Sequence, residues 1–386
     1  MTSTDNLGDI KDDGQTFLRH PSFANKLKVV DVAHYIVVVE GTECGKKLEI
    51  GLTPVSVGRH ADNRLTLADP FVSGRHCVIA FESGQLWVTD LGSSNGTFID
   101  GQRVQQQTVW LADATLLVGN QMLRQEYHRR EDVKRSDALA QDLRHAASYV
   151  RTLLPQPLRS GPVTAAWHFE PSSELGGDIF DYFWLNTEHF VFYLLDVSGH
   201  GVGAALHSIS VFNLLRQQSL SGVDFTRPKQ VLKALNDAMP MERYGDMYFT
   251  IWYGVYHPGT TTLTFASAGH PPALLFYDQG QQRIDLFAND APMGIESCLE
   301  FQERTITLHP GGQIYLYSDG VYEITTRNGA IWSLSEFIQL IQDQLRNGTV
   351  QPELICSAIR SLTRADHFED DFSLVLLNFS GDHPHP

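Results

Sequence analysis

Between Glu126 and Leu154 the chain reads EYHRREDVKRSDALAQDLRHAASYVRTLL, without a glycine or a proline. So long a stretch of helix formers with no turn residue predicts one continuous helix. Pro155-Gln156-Pro157 ends it, because a residue before proline is driven out of the helical region. The helix divides the chain: short strands and tight turns come before it, and longer apolar segments after it. A chain of 386 residues has material for two or three domains. The expected organisation is a tail over 1–30, a β-rich unit over 31–125, a helical linker over 126–156 and a third unit over 157–382. Within the helix Leu139, Leu143, Ala146, Val150 and Leu153 recur at steps of four, three, four and three, a short heptad seam. Two readings of it stand: a homodimer through the linker, or a helix packed on its own neighbouring domain.

In the first unit the segments IVVVEG, KKLEIG, VSVGR, HCVIAFE, QLWVTDLG, TFIDG and TLLVGN follow one another at the spacing of an all-β sandwich. Two polar stretches, 58-GRHADNRLTLADPFVSGRH-76 and 90-DLGSSNGTFIDG-101, belong in loops at one end of it. There Arg59, Ser73, Arg75, Ser94 and Asn95 offer guanidinium, hydroxyl and amide groups, the mixture of charge and fixed donors that a phosphate dianion needs. The plainer reading is that serine, asparagine and glycine only make turns and that Arg59 is a solvated charge.

In the third unit four acidic sites lie where apolar strands meet turns: GGDIFD (176–181), LDVSGHG (195–201), YLYSDGVYE (315–323) and EDDFSLVLL (369–377). Carboxylates gathered at one sheet rim repel each other unless cations sit among them, and an all-oxygen set suits Mg²⁺ or Mn²⁺. Any one of these aspartates alone is more simply a turn residue. The loop in 191-VFYLLDVSGHGVGAAL-206 has other conceivable uses. Ser198 lacks the GxSxG of a nucleophile elbow, no lysine follows the glycines as in a P-loop, and G-H-G-V-G is misspaced for a dinucleotide fingerprint.

The formal net charge of -16 disfavours nucleic acid or an anionic membrane as partner, while leaving room for a local basic site. No apolar run reaches the length of a membrane span, and the first thirty residues lack a signal-peptide core. Cys44, Cys77, Cys298 and Cys356 are scattered without CxxC spacing, as reduced thiols rather than a zinc or disulfide framework. The expected location is the cytoplasm.

The order of GR, SxxH and SNGT over residues 33–122 resembles the forkhead-associated (FHA) domain, which binds phosphothreonine peptides. The resemblance implies that Arg59 and Ser73 hold the phosphate, Ser94 adds a contact, Asn95 grips the peptide backbone and His76 braces the loops. Where a basic residue or asparagine is commoner, this chain has Gly74, with Arg75 next.

GGDIFD, DVSGHG, AGHPP (268–272), PMGI (292–295), YSDG (317–320) and EDDFS (369–373), in that order, resemble the SpoIIE/RsbU branch of the metal-dependent PPM serine/threonine protein phosphatases. The implied fold is α+β, two packed antiparallel sheets flanked by helices. The implied centre holds two divalent cations, Mn²⁺ or Mg²⁺, on Asp196, the carbonyl of Val197, Asp319 and Asp370. Asp178, counted with this metal site, stands beside them and holds metal-bound water, and the implied catalytic residues are Asp178 and Asp196. Hydrolysis by water activated between two ions needs no covalent phosphoenzyme. His200 and His270 are implied to lie near the site. Relatives use the preceding helix for dimerisation, and their substrate is often an anti-sigma-factor antagonist. The resemblances together imply a signalling phosphatase targeted or regulated by phosphothreonine binding. The alternative is a non-catalytic, phosphothreonine-dependent adaptor on a phosphatase-like scaffold, against which stand the retained aspartates.

Overall fold

The computed structural model describes residues 32–288, 291–296, 299–348, 351–363 and 367–380. The tail expected over 1–30, the last residues of the third unit and Cys298 lie outside them. Two compact units divide within one helix, between Ala138 and Leu139.

The first unit is a β-sandwich. Its strands are β1 (Val32–Glu40), β2 (Lys47–Ile50), β3 (Val55–Gly58), β4 (Leu65–Thr66), β5 (Cys77–Glu82), β6 (Gln85–Asp90), β7 (Thr97–Ile99), β8 (Gln102–Arg103), β9 (Thr108–Trp110), β10 (Leu116–Val118) and β11 (Gln121–Arg129). They form one sheet in the order β2-β1-β11-β10-β7-β8 and another in the order β4-β3-β5-β6-β9. Between the sheets Ile36, Val57, Ile79, Val88, Leu116 and Leu123 make the core. Each of the seven expected segments overlaps one of these strands, with β1 beginning four residues ahead of its segment, while β4, β8, β9 and β11 lie outside all seven. The structure differs at Glu126–Arg129, which read as the start of the helix but continue β11, paired from Val32↔Arg129 to Val38↔Leu123. Local helix propensity yields there to ladder pairing and to the bond from Lys47 Nζ to Glu126 Oε2 at 2.6 Å.

Helix α1 (Arg130–Leu153) follows directly. Its buried stripe shares Leu143 and Val150 with the heptad seam but not Leu139 or Ala146. Leu143, Ala147 and Val150 pack on Leu175, Ala205 and Ile209 of the second unit, whereas Leu139 is 59% exposed.

The second unit contains β12 (Val163–Glu170), β13 (Ile179–Trp184), β14 (Phe190–Val197), α2 (Val202–Arg216), α3 (Pro228–Ala238), β15 (Phe249–His257), β16 (Thr262–Ala268), β17 (Ala273–Tyr277), β18 (Gln282–Leu286), β19 (Arg304–Thr307), β20 (Gly312–Tyr317), α4 (Leu334–Arg346), α5 (Pro352–Leu362) and β21 (Phe372–Phe379). Two antiparallel five-stranded sheets result, β12-β21-β20-β17-β18 and β13-β14-β15-β16-β19. They bury one core between them; α2 and α3 cover the second sheet, and α4 and α5 cover the first. Because both faces of each sheet are covered, β14 and β21 read as continuous apolar runs rather than alternating ones. Helix α2 is apolar on more than one side for a like reason: Val211, Phe212 and Leu215 join the core while Ala205 meets α1. Among the described residues no helix is long and apolar enough to cross a membrane.

Candidate functional site: an aspartate rim and a phosphate-binding loop cluster

Antiparallel pairing puts the end of one strand beside the start of the next. Asp196 is the penultimate residue of β14, and Asp178 immediately precedes its partner β13, with Ile179 opposite Leu195. Asp319 follows the end of β20, and Asp370 precedes its partner β21, with Tyr317 opposite Leu374. Strands β14 and β20 touch across the sandwich. Four motifs distant in sequence therefore meet at one rim.

Their acidities report the meeting. Burial, then the carboxylates of Asp319 and Asp370, pushes Asp196 up to about 7. Burial, then Asp196 and Asp371, raises Asp178 well above the usual carboxylate range. Asp319 is raised by burial and by the nearby Glu323, and Asp370 by burial and by Asp319 and Asp371. Exposed His200 acts on Asp370 in the opposite sense, as a positive neighbour. The rim is nevertheless open: no three of its carboxylates place oxygens within 4.8 Å of one another.

The residue that sequence reasoning missed is Asp371. It is 3% exposed, and four donors of one loop converge on its carboxylate. Ser172 N and Oγ donate to Oδ1 at 2.7 and 2.9 Å, and Gly177 N and Asp178 N donate to Oδ2 at 2.6 and 3.3 Å. Its carbonyl accepts from Ser318 Oγ, while Ser373 Oγ donates to Asp178 Oδ2 at 2.6 Å. Asp371 thus ties the GGD loop to β21, and its lone pairs are taken, whereas Asp370, partly enclosed by the rim and accepting from Asp371 N at 2.7 Å, still reaches solvent. The only sequence signal was the doublet itself. Gly177 is held to its size: a Cβ there would stand 2.7 Å from the Val197 carbonyl oxygen. Ser198, the one hydroxyl in the glycine loop, accepts from Tyr248 N at 3.1 Å and so braces the loop. Gly199 and Gly201 have φ of 86° and 85°, the left-handed turn that leads into α2. His270 is buried, with Nδ1 donating to the Pro271 carbonyl at 2.9 Å and no hydrogen-bond partner at Nε2.

In the first unit, the loops after β3, β4 and β6 meet at one end of the sandwich. Arg59 N donates to the Ser73 carbonyl at 2.9 Å, Ser94 N donates to Ser73 Oγ at 3.0 Å, and Asn95 Nδ2 donates to the Phe71 carbonyl at 2.7 Å. Arg59, Arg75, Ser94 and Asn95 are exposed there, and Ser73 is half-buried. His76 is fully buried: Nδ1 accepts from Ser73 N and Nε2 donates to the Gly96 carbonyl, so it joins two of the loops. The Gly74 carbonyl accepts from His60 N and from Asn63 Nδ2 at 2.7 Å, a strap that sequence reasoning did not single out.

Residues 186–380 match the profile of Stage II sporulation protein E (SpoIIE). The chain belongs to the SpoIIE family. Its first unit carries an FHA domain, matched over residues 55–118. The SpoIIE match takes in Asp196, Val197, Asp319 and Asp370 and begins after Asp178. The chain is 26% identical over 239 residues to phosphoserine phosphatase RsbP of Bacillus subtilis, covering 61% of this chain and 57% of RsbP. It is 27% identical over 270 residues to phosphoserine phosphatase RsbU of the same organism, covering 68% of this chain and 76% of RsbU. The fold is that of the SiaA-PP2C domain of Pseudomonas aeruginosa, with a TM-score of 0.53 at 17% identity over 63% of this chain and 98% of that one. The SpoIIE family falls within the metal-dependent PPM phosphatases, and FHA domains bind phosphothreonine proteins.

Proposed function

We propose that the chain is a metal-dependent protein phosphatase that removes phosphate from serine or threonine of a signalling protein, and that its FHA domain targets or regulates it by binding phosphothreonine. The observation that carries this reading is the gathering of Asp178, Asp196, Asp319 and Asp370 at strand ends on one rim, where burial and neighbouring carboxylates raise each of them. Such acids are stable as a set of anions only with cations among them. Their all-oxygen chemistry and the close approach of Gly177 to the Val197 carbonyl fit Mn²⁺ or Mg²⁺. Two such ions are what the family resemblance implies. Asp196, Val197, Asp319 and Asp370 would hold them, with Asp178 alongside.

When bound, the ions supply acidified water and positive charge for the phosphoryl oxygens. The chain's own residues supply position. Asp371 fixes the GGD loop through four donors, and Ser373 orients Asp178. Arg59 and Ser73 would take the phosphate of a phosphothreonine partner, with Arg75 and Ser94 adding contacts and Asn95 gripping its backbone. An anti-sigma-factor antagonist is the substrate class the family resemblance favours. A homodimer through the linker helix would use its outward side chains, Leu139 and Tyr149, 59% and 63% exposed. Free thiols at Cys44, Cys77 and Cys356 agree with a cytoplasmic location.

The test is hydrolysis of p-nitrophenyl phosphate by the full chain with Mn²⁺, against Asp196→Asn. The expected result is metal-dependent turnover that falls at least about a hundredfold in the variant. Equal turnover in both, or none in either, would favour the adaptor reading.

A further inference from the structure

Away from the aspartate rim, a second group of side chains has the chemistry of a cation site, and the argument for it does not depend on phosphatase activity. Alternation along β12 sends Trp167 and Phe169 into the central core and turns His168 and Glu170 the other way, toward α5. Cys356 and Arg360 stand one turn apart on α5 and face them. One ligand atom each from His168, Glu170 and Cys356 lies within 4.8 Å of the other two, the only such set of three among the described residues. Cys356 is a free thiol, 3% exposed. His168 Nε2 is shielded from solvent, has no hydrogen-bond partner and lies 3.9 Å from Glu170 Oε2. Glu170 is ion-paired to Arg360, whose guanidinium sits 4.5 Å from the centre of the Phe368 ring.

A buried thiol, an imidazole nitrogen with an unused lone pair and a carboxylate are the ligand types of Zn²⁺, not of Mg²⁺ or Mn²⁺. Around a tetrahedral ion such atoms stand roughly 3.3–3.6 Å apart, so the observed cluster needs to contract by at most about 1.5 Å. Access exists, because Glu170 also lines an open groove of about 590 Å³ between α1 and residues 170–174. The difficulty is Arg360, which already gives Glu170 a positive partner. A dication at the same carboxylate replaces that charge, and the guanidinium keeps its seat on Phe368.

We propose that His168, Glu170 and Cys356 form a site for a zinc-class divalent cation, bound by the Cys356 thiolate, the His168 imidazole and one Glu170 oxygen in competition with Arg360. Binding releases the thiol proton to solvent, and no redox step is involved. The site is built from parts that a sequence cannot bring together: two residues of an edge strand and one of a helix nearly two hundred positions later. It also lies close to the phosphatase machinery along the chain. Glu170 is followed by Pro171 and then Ser172, whose N and Oγ are held by Asp371.

Co²⁺ is the probe that separates this site from the aspartate rim, because only sulfur ligation gives a thiolate-to-cobalt charge-transfer band in the near ultraviolet. The full chain, stripped with a chelator, is titrated with Co²⁺ and then with Zn²⁺. The expected result is a charge-transfer band with tetrahedral d–d absorption, saturating at one equivalent and bleached by Zn²⁺. Asp196→Asn keeps the band and Cys356→Ser loses it. His168→Gln weakens Co²⁺ affinity about tenfold or more, and Arg360→Ala strengthens it about tenfold. If Cys356→Ser fails to fold, as judged by its melting curve, half-buried His168→Gln carries the test. Absence of the band in the unaltered chain, its survival in Cys356→Ser, or unchanged affinity in His168→Gln would overturn the site. Unchanged or weaker affinity in Arg360→Ala would overturn the competition.

Discussion

Two residues show how closely the rim is built. Gly177 is small because the Val197 carbonyl oxygen occupies the space a Cβ would need, 2.7 Å away. Gly177→Ala must displace either the loop that carries Asp178 or the backbone next to Asp196. A displacement near 1 Å at a reacting centre costs about 10–100-fold in rate, so the variant should keep its fold and lose kcat for p-nitrophenyl phosphate by that factor. His270 illustrates a buried base. Burial pushes its imidazole from an ordinary 6.5 down to about 4, since Nδ1 is spent on the Pro271 carbonyl and a proton on Nε2 would find no acceptor. A lowered pKa in the folded state means that the unfolded chain takes up the proton first as pH falls. Its contribution to stability is therefore intact above about pH 6.5 and is lost progressively toward pH 4, to a total of about 3 kcal/mol. Urea melts at pH 7 and pH 4.5 should show a larger drop in the unaltered protein than in His270→Gln; equal drops would exclude His270 as the cause.

At the scale of elements, the linker helix carries the clearest lesson. Its existence and its end at the Pro-Gln-Pro stop were legible, because propensity over some thirty residues is a strong local signal. Its start was not, because β1 is about ninety residues upstream and its pairing with β11 holds Glu126–Arg129 as strand. The heptad seam was half right in phase. Leu143 and Val150 belong both to the seam and to the stripe that packs on α2, but Ala147 replaces Ala146, and Leu139 faces outward. Seams of period 3.5 and buried stripes of period 3.6 differ too little over four turns to be told apart. The two roles separate experimentally. Val150→Ser should cost about 2 kcal/mol through the lost contact with Leu175 and Ala205, read by thermal melting. Leu139→Lys, at an exposed position, should leave stability within about 0.5 kcal/mol and reduce the size seen by light scattering if a dimer uses that face. Unchanged size would remove the linker dimer from the proposal.

At the scale of the molecule, two units with separate cores carry the two proposed sites, one in the FHA loops and one at the SpoIIE rim. The candidate phosphate-binding loops are held by Arg59 N donating to the Ser73 carbonyl and Ser94 N donating to Ser73 Oγ, neither of which uses the Arg59 side chain, so its loss should leave the loops in place. Arg59→Ala is expected to weaken binding of a phosphothreonine peptide about a hundredfold, by calorimetry on the full chain, as removal of a charge-assisted phosphate contact does. The same variant should turn over p-nitrophenyl phosphate at the unaltered rate. A matching loss of both would mean that the substitution unfolds the chain rather than empties one site.

Local order in the sequence determined a great deal here. The seven strand segments, the helix, the apolar runs ending in aspartate and the ordered motifs of both units are properties of residues near one another along the chain, and so could be read from it. Tertiary structure alone decided which partners those residues take. It chose Asp371 to tie the GGD loop and left Asp370 open, although the two are neighbours and chemically identical. It turned Leu139 outward, and it brought Cys356 to His168 and Glu170. The physical reason is the same each time. A side chain's role depends on the donors, charges and carbons that packing sets against it, and those come from strands and helices far away in sequence.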